Sequence, residues 1–317
     1  MKHKYLFVVV LLLGLSLAGV GFVKSFGVGT ADGMGQKGAE QLLIVTSFYP
    51  VYIACLNIAG DCPGVAVENL SEPQTGCLHD YQLTPEDMMK LSKADVFVVN
   101  GGGMEAFLTD TAKEYPDLTI LNAGEAIFSE DDEANSQEHS HTHGENAHVW
   151  MSIPHYMEQV VSIGQGLAEA DPAHREHYQA KTAEYLEKIE QLHQDAKNRL
   201  ADAQGKKIVL FHEAFAFFAE DYGMEIAGEL DLDEERQISA QETARLLEVI
   251  QEEEVGILLA ESMYGKDMGD TIEKETDCKV YYLDTLVRGE EDAESWMKGM
   301  EENIRILEKA ISSEEAL

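Results

Sequence analysis

The chain has 317 residues, of which 44% are hydrophobic and 26% are charged, a composition typical of a globular protein with one large or two smaller domains. Lys and Arg number 23 and Asp and Glu number 59, which gives a formal net charge of −36. Such an acidic surface repels phosphate backbones, so the composition excludes a nucleic-acid partner and favours the attraction of cations. The four cysteines are too few for a disulfide scaffold.

The N-terminus carries an export or anchoring signal. Lys2 and Lys4 precede an apolar run from Tyr5 to Val23, and positive charges before a hydrophobic segment are typical of a signal peptide. The run is also long enough to cross a bilayer of about 30 Å. We therefore predict a cleaved signal peptide or an uncleaved membrane anchor at 1–23, followed by a flexible glycine-rich linker at 24–41. Both alternatives place the body of the protein outside the cytoplasm, secreted or anchored at the cell surface.

The rest of the chain alternates between apolar runs of strand length and helical patterns. Strands are predicted at 42–46, 65–70, 95–100 and 118–121 in the first half, and at 208–211, 255–260 and 279–283 in the second. Buried-looking strands that alternate with helices predict an α/β fold with mostly parallel sheets flanked by helices.

A long helical stretch separates the two strand-bearing halves. A helix is predicted at 154–170, Asp171-Pro172 interrupts it, and a second helix of roughly 30 residues follows to about Ala203. The predicted organisation is an N-terminal lobe at 42–171, a rigid connecting backbone helix at 172–204 and a C-terminal lobe at 205–317.

One segment, 129–147, is acidic and almost free of apolar residues. It contains His139, His141 and His143, and short histidine-rich tracts bind transition metals weakly. We interpret it as a surface loop that collects metal ions at auxiliary sites, with a solvated linker as the alternative.

Metal-ligating side chains cluster where strands end. His212, Glu261 and Asp284 directly follow predicted strands, His79 lies in the loop after the second strand, and His148 follows the acidic segment. Ligands of parallel α/β sheets bind beyond the carboxyl ends of the strands. Three neutral imidazoles and a carboxylate suit tetrahedral zinc, whereas calcium and magnesium prefer more oxygen ligands.

Enzyme motifs are incomplete, so a binding protein is expected and not an enzyme. His212-Glu213 begins like a zinc-protease helix, but Ala216 stands where the second histidine is required. The glycines at 101–103 lack the spacing of a dinucleotide-binding loop and predict a tight turn. Four protein ligands leave no open coordination position for water or substrate, and such a site binds without catalysing.

Several motifs resemble the metal-binding solute-binding subunits of ABC importers, most closely the zinc-uptake members. The similar segments are IVTSFYPVY at 44–52, LHDYQLTPEDMMKLSKADVFVVNGGGME at 78–105, NAHVWMSI at 146–153, IVLFHEAFAFFAEDYGM at 208–224 and VYYLDTL at 280–286. They occur in the family's order from about residue 42 to 310. The resemblance implies two α/β lobes joined by a long helix, with the metal in the cleft between them.

The resemblance also implies a ligand set of His79, His148, His212 and Asp284, with Glu261 in an indirect role or in none. Manganese members carry Glu where this chain has His212 and generally lack a histidine-rich loop, so the expected cargo is Zn²⁺ and not Mn²⁺. The implied partner is the membrane permease of an ABC importer, with the protein acting as a monomer. The alternatives are the same fold selecting Mn²⁺ or Fe²⁺, and a surface adhesin that uses the metal structurally.

The cysteines allow three further expectations. Cys77, two residues before His79, could join the metal site. Cys55 and Cys62 are close enough in sequence for a local disulfide outside the cytoplasm. Cys278 lies at the opposite end of its strand from Asp284, so no Cys77–Cys278 bridge is expected.

Overall fold

The computed structural model describes residues 41–72, 81–128, 146–230, 238–261 and 265–314. The predicted signal or anchor at 1–23, nearly all of the linker and the histidine-rich part of the acidic segment therefore lie outside the described residues. Within the ranges given, no helix combines the length and the apolar character needed to span a bilayer.

The first half contains four strands and three helices before the long helical region. In chain order they are β1 (Leu42–Thr46), α1 (Tyr49–Ala59), β2 (Val65–Asn69), α2 (Pro85–Leu91), β3 (Val96–Val99), α3 (Leu108–Glu114) and β4 (Thr119–Asn122). A short 3₁₀ turn, Val149–Met151, leads into α4 (Ile153–Ala170), and a second one, Pro172–His174, leads into α5 (Arg175–Arg199).

The second half repeats the pattern of strands and helices. After 3₁₀ turns at Ala201–Ala203 and Glu213–Phe215, which flank the first strand, the elements are β5 (Lys207–Leu210), α6 (Ala216–Asp221), β6 (Glu225–Glu229), α7 (Ala240–Glu252), β7 (Ile257–Glu261), α8 (Lys266–Glu275), β8 (Lys279–Leu283) and α9 (Ser295–Glu314).

The strands form two four-stranded sheets with the same topology. Their orders are β2-β1-β3-β4 and β6-β5-β7-β8, and every pair is parallel. In each sheet the strand order reverses beside the first strand of its half, and crevices at such switch points are where α/β folds bind ligands. The predicted α/β architecture with parallel sheets is confirmed.

Local sequence explains where the helices begin. Thr84 and Asp87 form a capping box at the start of α2, and Ser239 and Glu242 form another at the start of α7. At α4, the Ser152 hydroxyl accepts a hydrogen bond from the backbone N–H of His155 at 3.2 Å. Each cap satisfies backbone donors that the first helical turn leaves unpaired.

The long helix and the strand set differ from the prediction in detail. The helix after Pro172 begins with a 3₁₀ turn, so its α-helical part spans 25 residues, about 38 Å at the standard rise, instead of roughly 30 residues. The second sheet also contains β6, which was not among the predicted strands. The edge strand β6 has a mixed pattern of exposed and half-buried residues, so it lacks the apolar run that identified the other strands.

The two sheets share one hydrophobic core. A single buried cluster includes residues of the first sheet, such as Ile44 and Val98, and of the second, such as Ile208 and Leu259. Large aromatic side chains fill the space between them: the rings of Tyr156 and Trp296 stack at 3.8 Å. Helices α4 and α5 pack along each other beside this core.

The cysteines that the structure describes are all buried free thiols: Cys55, Cys62 and Cys278. The local disulfide considered for Cys55 and Cys62 is therefore wrong. Cys55 lies on α1 inside the hydrophobic core, where burial raises the pKa of its thiol. Cys77 lies outside the described residues, so the absence of a Cys77–Cys278 bridge stays a prediction.

Candidate metal centre

The structure describes three of the four predicted ligands. His148 directly precedes the 3₁₀ turn before α4 and is completely buried, whereas His212 directly follows β5 and is 9% exposed. Asp284 directly follows β8 and is exposed. His79 lies outside the described residues, as do Cys77 and the auxiliary candidates His139, His141 and His143.

The fold brings His148 and His212 together although they are 64 positions apart in the sequence. Their ring centroids lie 5.1 Å apart, with the rings nearly perpendicular at 87°. Two imidazoles that bind one tetrahedral zinc ion at about 2.0–2.1 Å have centroids about 5 Å apart. The separation of the two rings therefore suits a shared ion.

Among the described residues, no three His, Cys, Asp or Glu side chains converge as a complete metal-holding group. The pair of histidines therefore forms half of the predicted ligand set, and no described contact joins Asp284 to either ring. Thr285, the residue after Asp284, does contact the histidine segment. Its carbonyl oxygen accepts a hydrogen bond from the indole N–H of Trp150 at 2.8 Å. The Trp150 ring lies 5.1 Å from the His148 ring.

Asn146 holds His148 in place. Its side-chain oxygen accepts from the backbone N–H of His148 at 3.0 Å and lies 2.9 Å from the ring Nδ1. Its amide nitrogen donates to the carbonyl oxygen of Glu213 at 2.9 Å, which lies in the turn after His212. Asn146 and Ala147 were grouped with the acidic loop by sequence, but both are buried and belong to the site.

His212 stabilises the turn that follows it. Its Nδ1 accepts a hydrogen bond from the backbone N–H of Ala214 at 2.9 Å, so the proton of the neutral ring is on Nε2. A metal ion that binds His212 must compete with the Ala214 N–H for Nδ1 or with the proton on Nε2.

Asp284 is fixed through its backbone. The side chain of Asn303 on α9, which is fully buried, accepts from Asp284 N at 2.9 Å and donates to Asp284 O at 2.7 Å. Asp284 Oδ1 accepts from the backbone N–H of Leu286 at 2.7 Å. The nearby Glu261 is the last residue of β7, and its carboxylate accepts a hydrogen bond from the Thr285 hydroxyl at 3.1 Å.

A buried polar network supports the histidine segment from the first sheet. Asn100, at the end of β3, donates to the carbonyl of Ala147 at 2.9 Å and accepts from the side chain of Gln159 at 2.8 Å. The carboxylate of Glu105 accepts from the backbone N–H groups of Asn100 and Gly101. Burial raises the pKa of Glu105. The network therefore stabilises the backbone at Ala147, directly before His148.

The candidate ligands are recognisable in the sequence, whereas these supporting residues are not part of the predicted site. Asn146 and Asn303 bind backbone groups of candidate ligands, and Asn100 binds the carbonyl of Ala147, next to His148. Asn146 is only two residues before His148, and an amide at that spacing is a recognisable signal for a local side-chain bond to the backbone. Asn303 is 19 positions from Asp284 and carries no local signal.

The chain has the fold of known solute-binding proteins. The solute-binding protein FpvC of Pseudomonas aeruginosa, solved in complex with Ni²⁺, superposes with a TM-score of 0.73 over 86% of this chain and 98% of that one, at 23% identity.

The family follows from the sequence comparison. The family described as zinc-uptake complex component A, periplasmic, matches residues 44–310, which is most of the chain. The protein belongs to this family.

Similar proteins are named for different metals. The high-affinity zinc uptake system protein ZnuA of Bacillus subtilis is 29% identical over 81% of each chain. The zinc-binding lipoprotein AdcA of Streptococcus pneumoniae is 29% identical over 88% of this chain, which spans 58% of that longer protein. The iron-binding protein YfeA of Yersinia pestis is 28% identical over 78% of this chain and 79% of its own.

Proposed function

We propose that the protein captures Zn²⁺ outside the cytoplasm and delivers it to the membrane permease of an ABC importer. The observation that carries this proposal is the pair of imidazoles, His148 and His212, held 5.1 Å apart in a chain of the zinc-uptake family. His79 and Asp284 complete the proposed ligand set. The net charge of −36 supports the role, because it raises the local concentration of cations.

The donor set favours zinc. Three imidazoles and one carboxylate match a tetrahedral site, and a nitrogen-rich site binds zinc more tightly than manganese or ferrous iron. Selection of Mn²⁺ or Fe²⁺ is the second candidate, supported by the similarity to a protein named for iron binding. We propose a carrier and not an enzyme, because four protein ligands fill a tetrahedral zinc site and leave no position for a reacting water.

The remaining features of the proposal concern location and assembly. The N-terminal segment is proposed to export the protein or to anchor it in the membrane, and the mature protein to act as a monomer. The histidines at 139, 141 and 143 are proposed to collect zinc weakly. An adhesin with a structural metal would remain folded only with the ion bound, whereas a carrier must fold without it and reload.

Zinc affinity measured by competition with a fluorescent chelator tests the ligand set. The single variants His79→Ala, His148→Ala, His212→Ala and Asp284→Ala each remove one ligand and are expected to weaken zinc binding by at least about 100-fold. The matched control His193→Ala removes a histidine of α5 and should leave the affinity unchanged. Wild-type affinity in the His148 and His212 variants would refute the site.

Parallel titrations with Zn²⁺, Mn²⁺ and Fe²⁺ test the choice of cargo. Zinc is expected to bind most tightly, and binding should weaken as the pH falls through about 6, because protonated imidazoles cannot ligate. A preference for Mn²⁺ would establish the second candidate. Metal-free protein that unfolds, or does not reload, would contradict the carrier role.

A further inference from the structure

Two backbone hydrogen-bond partners determine the orientation of the Asn146 side-chain amide. Its oxygen faces the backbone N–H of His148 at 3.0 Å, and its nitrogen faces the carbonyl oxygen of Glu213 at 2.9 Å. A backbone N–H can only donate and a carbonyl oxygen can only accept. The opposite orientation would place donor against donor and acceptor against acceptor, so it is excluded.

This orientation determines which nitrogen of His148 carries the proton. The Nδ1 atom lies 2.9 Å from the same side-chain oxygen of Asn146, which is an acceptor, so Nδ1 must be the donor. In a neutral imidazole only one nitrogen is protonated, so Nε2 carries the lone pair that can bind a metal ion. The Glu213 carboxylate, with Oε1 at 3.5 Å from Nδ1, is a second acceptor on the same side but lies beyond normal hydrogen-bond length.

We propose that Asn146 is a positioning residue of the zinc site: it keeps the proton of His148 on Nδ1 so that Nε2 faces the ion, and it ties this segment to the turn that carries His212. The inference rests on the proposed function, because it assigns a role at the same site. Outer partners of this kind orient ligating histidines and select their tautomer.

Both halves of the amide are needed for this role. The oxygen accepts two hydrogen bonds from His148 while the nitrogen donates to Glu213, and Asn146 itself is 7% exposed, so water cannot easily replace either group. Asn146→Asp retains an acceptor for His148 and loses the donor to Glu213. Asn146→Ala loses both. The two variants therefore separate the choice of tautomer from the link between the two segments.

The first measurement is the tautomer of His148 in the full chain without metal at pH 8. Long-range ¹H–¹⁵N NMR of histidine-labelled protein distinguishes the two nitrogens, and His148→Gln identifies the signals. Wild type and Asn146→Asp are expected to show the Nδ1–H form, and Asn146→Ala a mixture. A wild-type protein with the proton on Nε2 overturns the inference, whatever the stability of the variants.

The second measurement is zinc affinity at pH 8, where proton competition is small. Asn146→Ala is expected to bind zinc about 10–100-fold more weakly. Asn146→Asp is expected to recover only part of the loss, because it keeps the acceptor for His148 and lacks the donor to Glu213. The matched control is Asn57→Ala, because Asn57 also donates its amide to a distant carbonyl, that of Ala293 at 2.8 Å; its affinity should stay within about twofold of wild type.

His148→Ala separates the two proposals. If this variant binds zinc weakly while folded Asn146→Ala binds as wild type does, the role of Asn146 is refuted and the zinc site stands. If His148→Ala itself binds zinc as wild type does, the ligand assignment fails.

Discussion

Asp221 is a partly buried carboxylate whose ionisation should make the free energy of unfolding depend on pH. It is the last residue of α6 and faces the start of α4, where Oδ1 accepts from the Ser152 hydroxyl at 3.0 Å and Oδ2 accepts from the backbone N–H of Ile153 at 3.1 Å. Burial raises the pKa of Asp221 from 3.8 to about 7, although both hydrogen bonds and the start of the helix favour the ionised form.

The magnitude follows from that pKa change. The rise from 3.8 to about 7 corresponds to about 4 kcal/mol between the two protonation states. Because the folded-state pKa is raised, the stabilisation by the protonated form is complete below about pH 4 and is lost as the pH rises through about 7. Between these limits the loss amounts to about 1.4 kcal/mol per pH unit.

Asn is a neutral replacement of the same shape, so Asp221→Asn should remove this dependence. Relative to wild type, the free energy of unfolding of the variant should rise by about 2–3 kcal/mol between pH 5 and pH 8. Urea unfolding of metal-free protein, followed by circular dichroism at both pH values, measures it. The control is Glu158→Gln, an exposed carboxylate on α4, which should shift stability by less than about 0.5 kcal/mol at either pH. An Asp221→Asn difference that is the same at pH 5 and pH 8 would refute the reasoning.

Two further predictions concern the surroundings of the site. Asn303→Ala removes both hydrogen bonds to the backbone of Asp284, so it should lower the free energy of unfolding by about 1–3 kcal/mol and weaken zinc binding in the chelator competition. Asn303→Asp keeps the acceptor, so its losses of stability and affinity should be smaller. Equal losses in the two variants would contradict this account. Deleting residues 129–145, while keeping Asn146, should preserve one tight zinc site in calorimetry and abolish weak additional binding. Loss of the tight site would show that this segment supplies a primary ligand.

Much of the fold was predictable because its signals are local. The strand β8 has the predicted bounds, Lys279–Leu283, and Asp171-Pro172 separates α4 from α5 as expected. The turn at Gly101, Gly102 and Gly103 was also predicted, and all three have positive φ. At Gly101 a Cβ would lie 2.2 Å from the side-chain oxygen of Asn122, so the glycine is required by both conformation and space.

The supporting contacts were not predictable because they join distant segments. Asp221 meets Ser152 across 69 positions, and the partner of Asn146 at Glu213 is 67 positions away. No periodicity or spacing encodes such pairs. The predicted disulfide between Cys55 and Cys62 is wrong for a related reason. Proximity in sequence does not determine where side chains point, and Cys55 on α1 packs into the hydrophobic core.

The aromatic side chains between the two sheets resist separation of the two halves of the protein. Phe48, Trp150, Tyr156 and Trp296 are almost completely buried, and rings of this size cover about 150–250 Å² each. Pulling the halves apart far enough to wet even half of that area would cost about 8–13 kcal/mol, as much as the unfolding free energy of a typical domain, about 5–15 kcal/mol. If the protein carries an ion as proposed, loading and unloading should therefore involve small displacements around a stiff body and not a wide separation of the two halves.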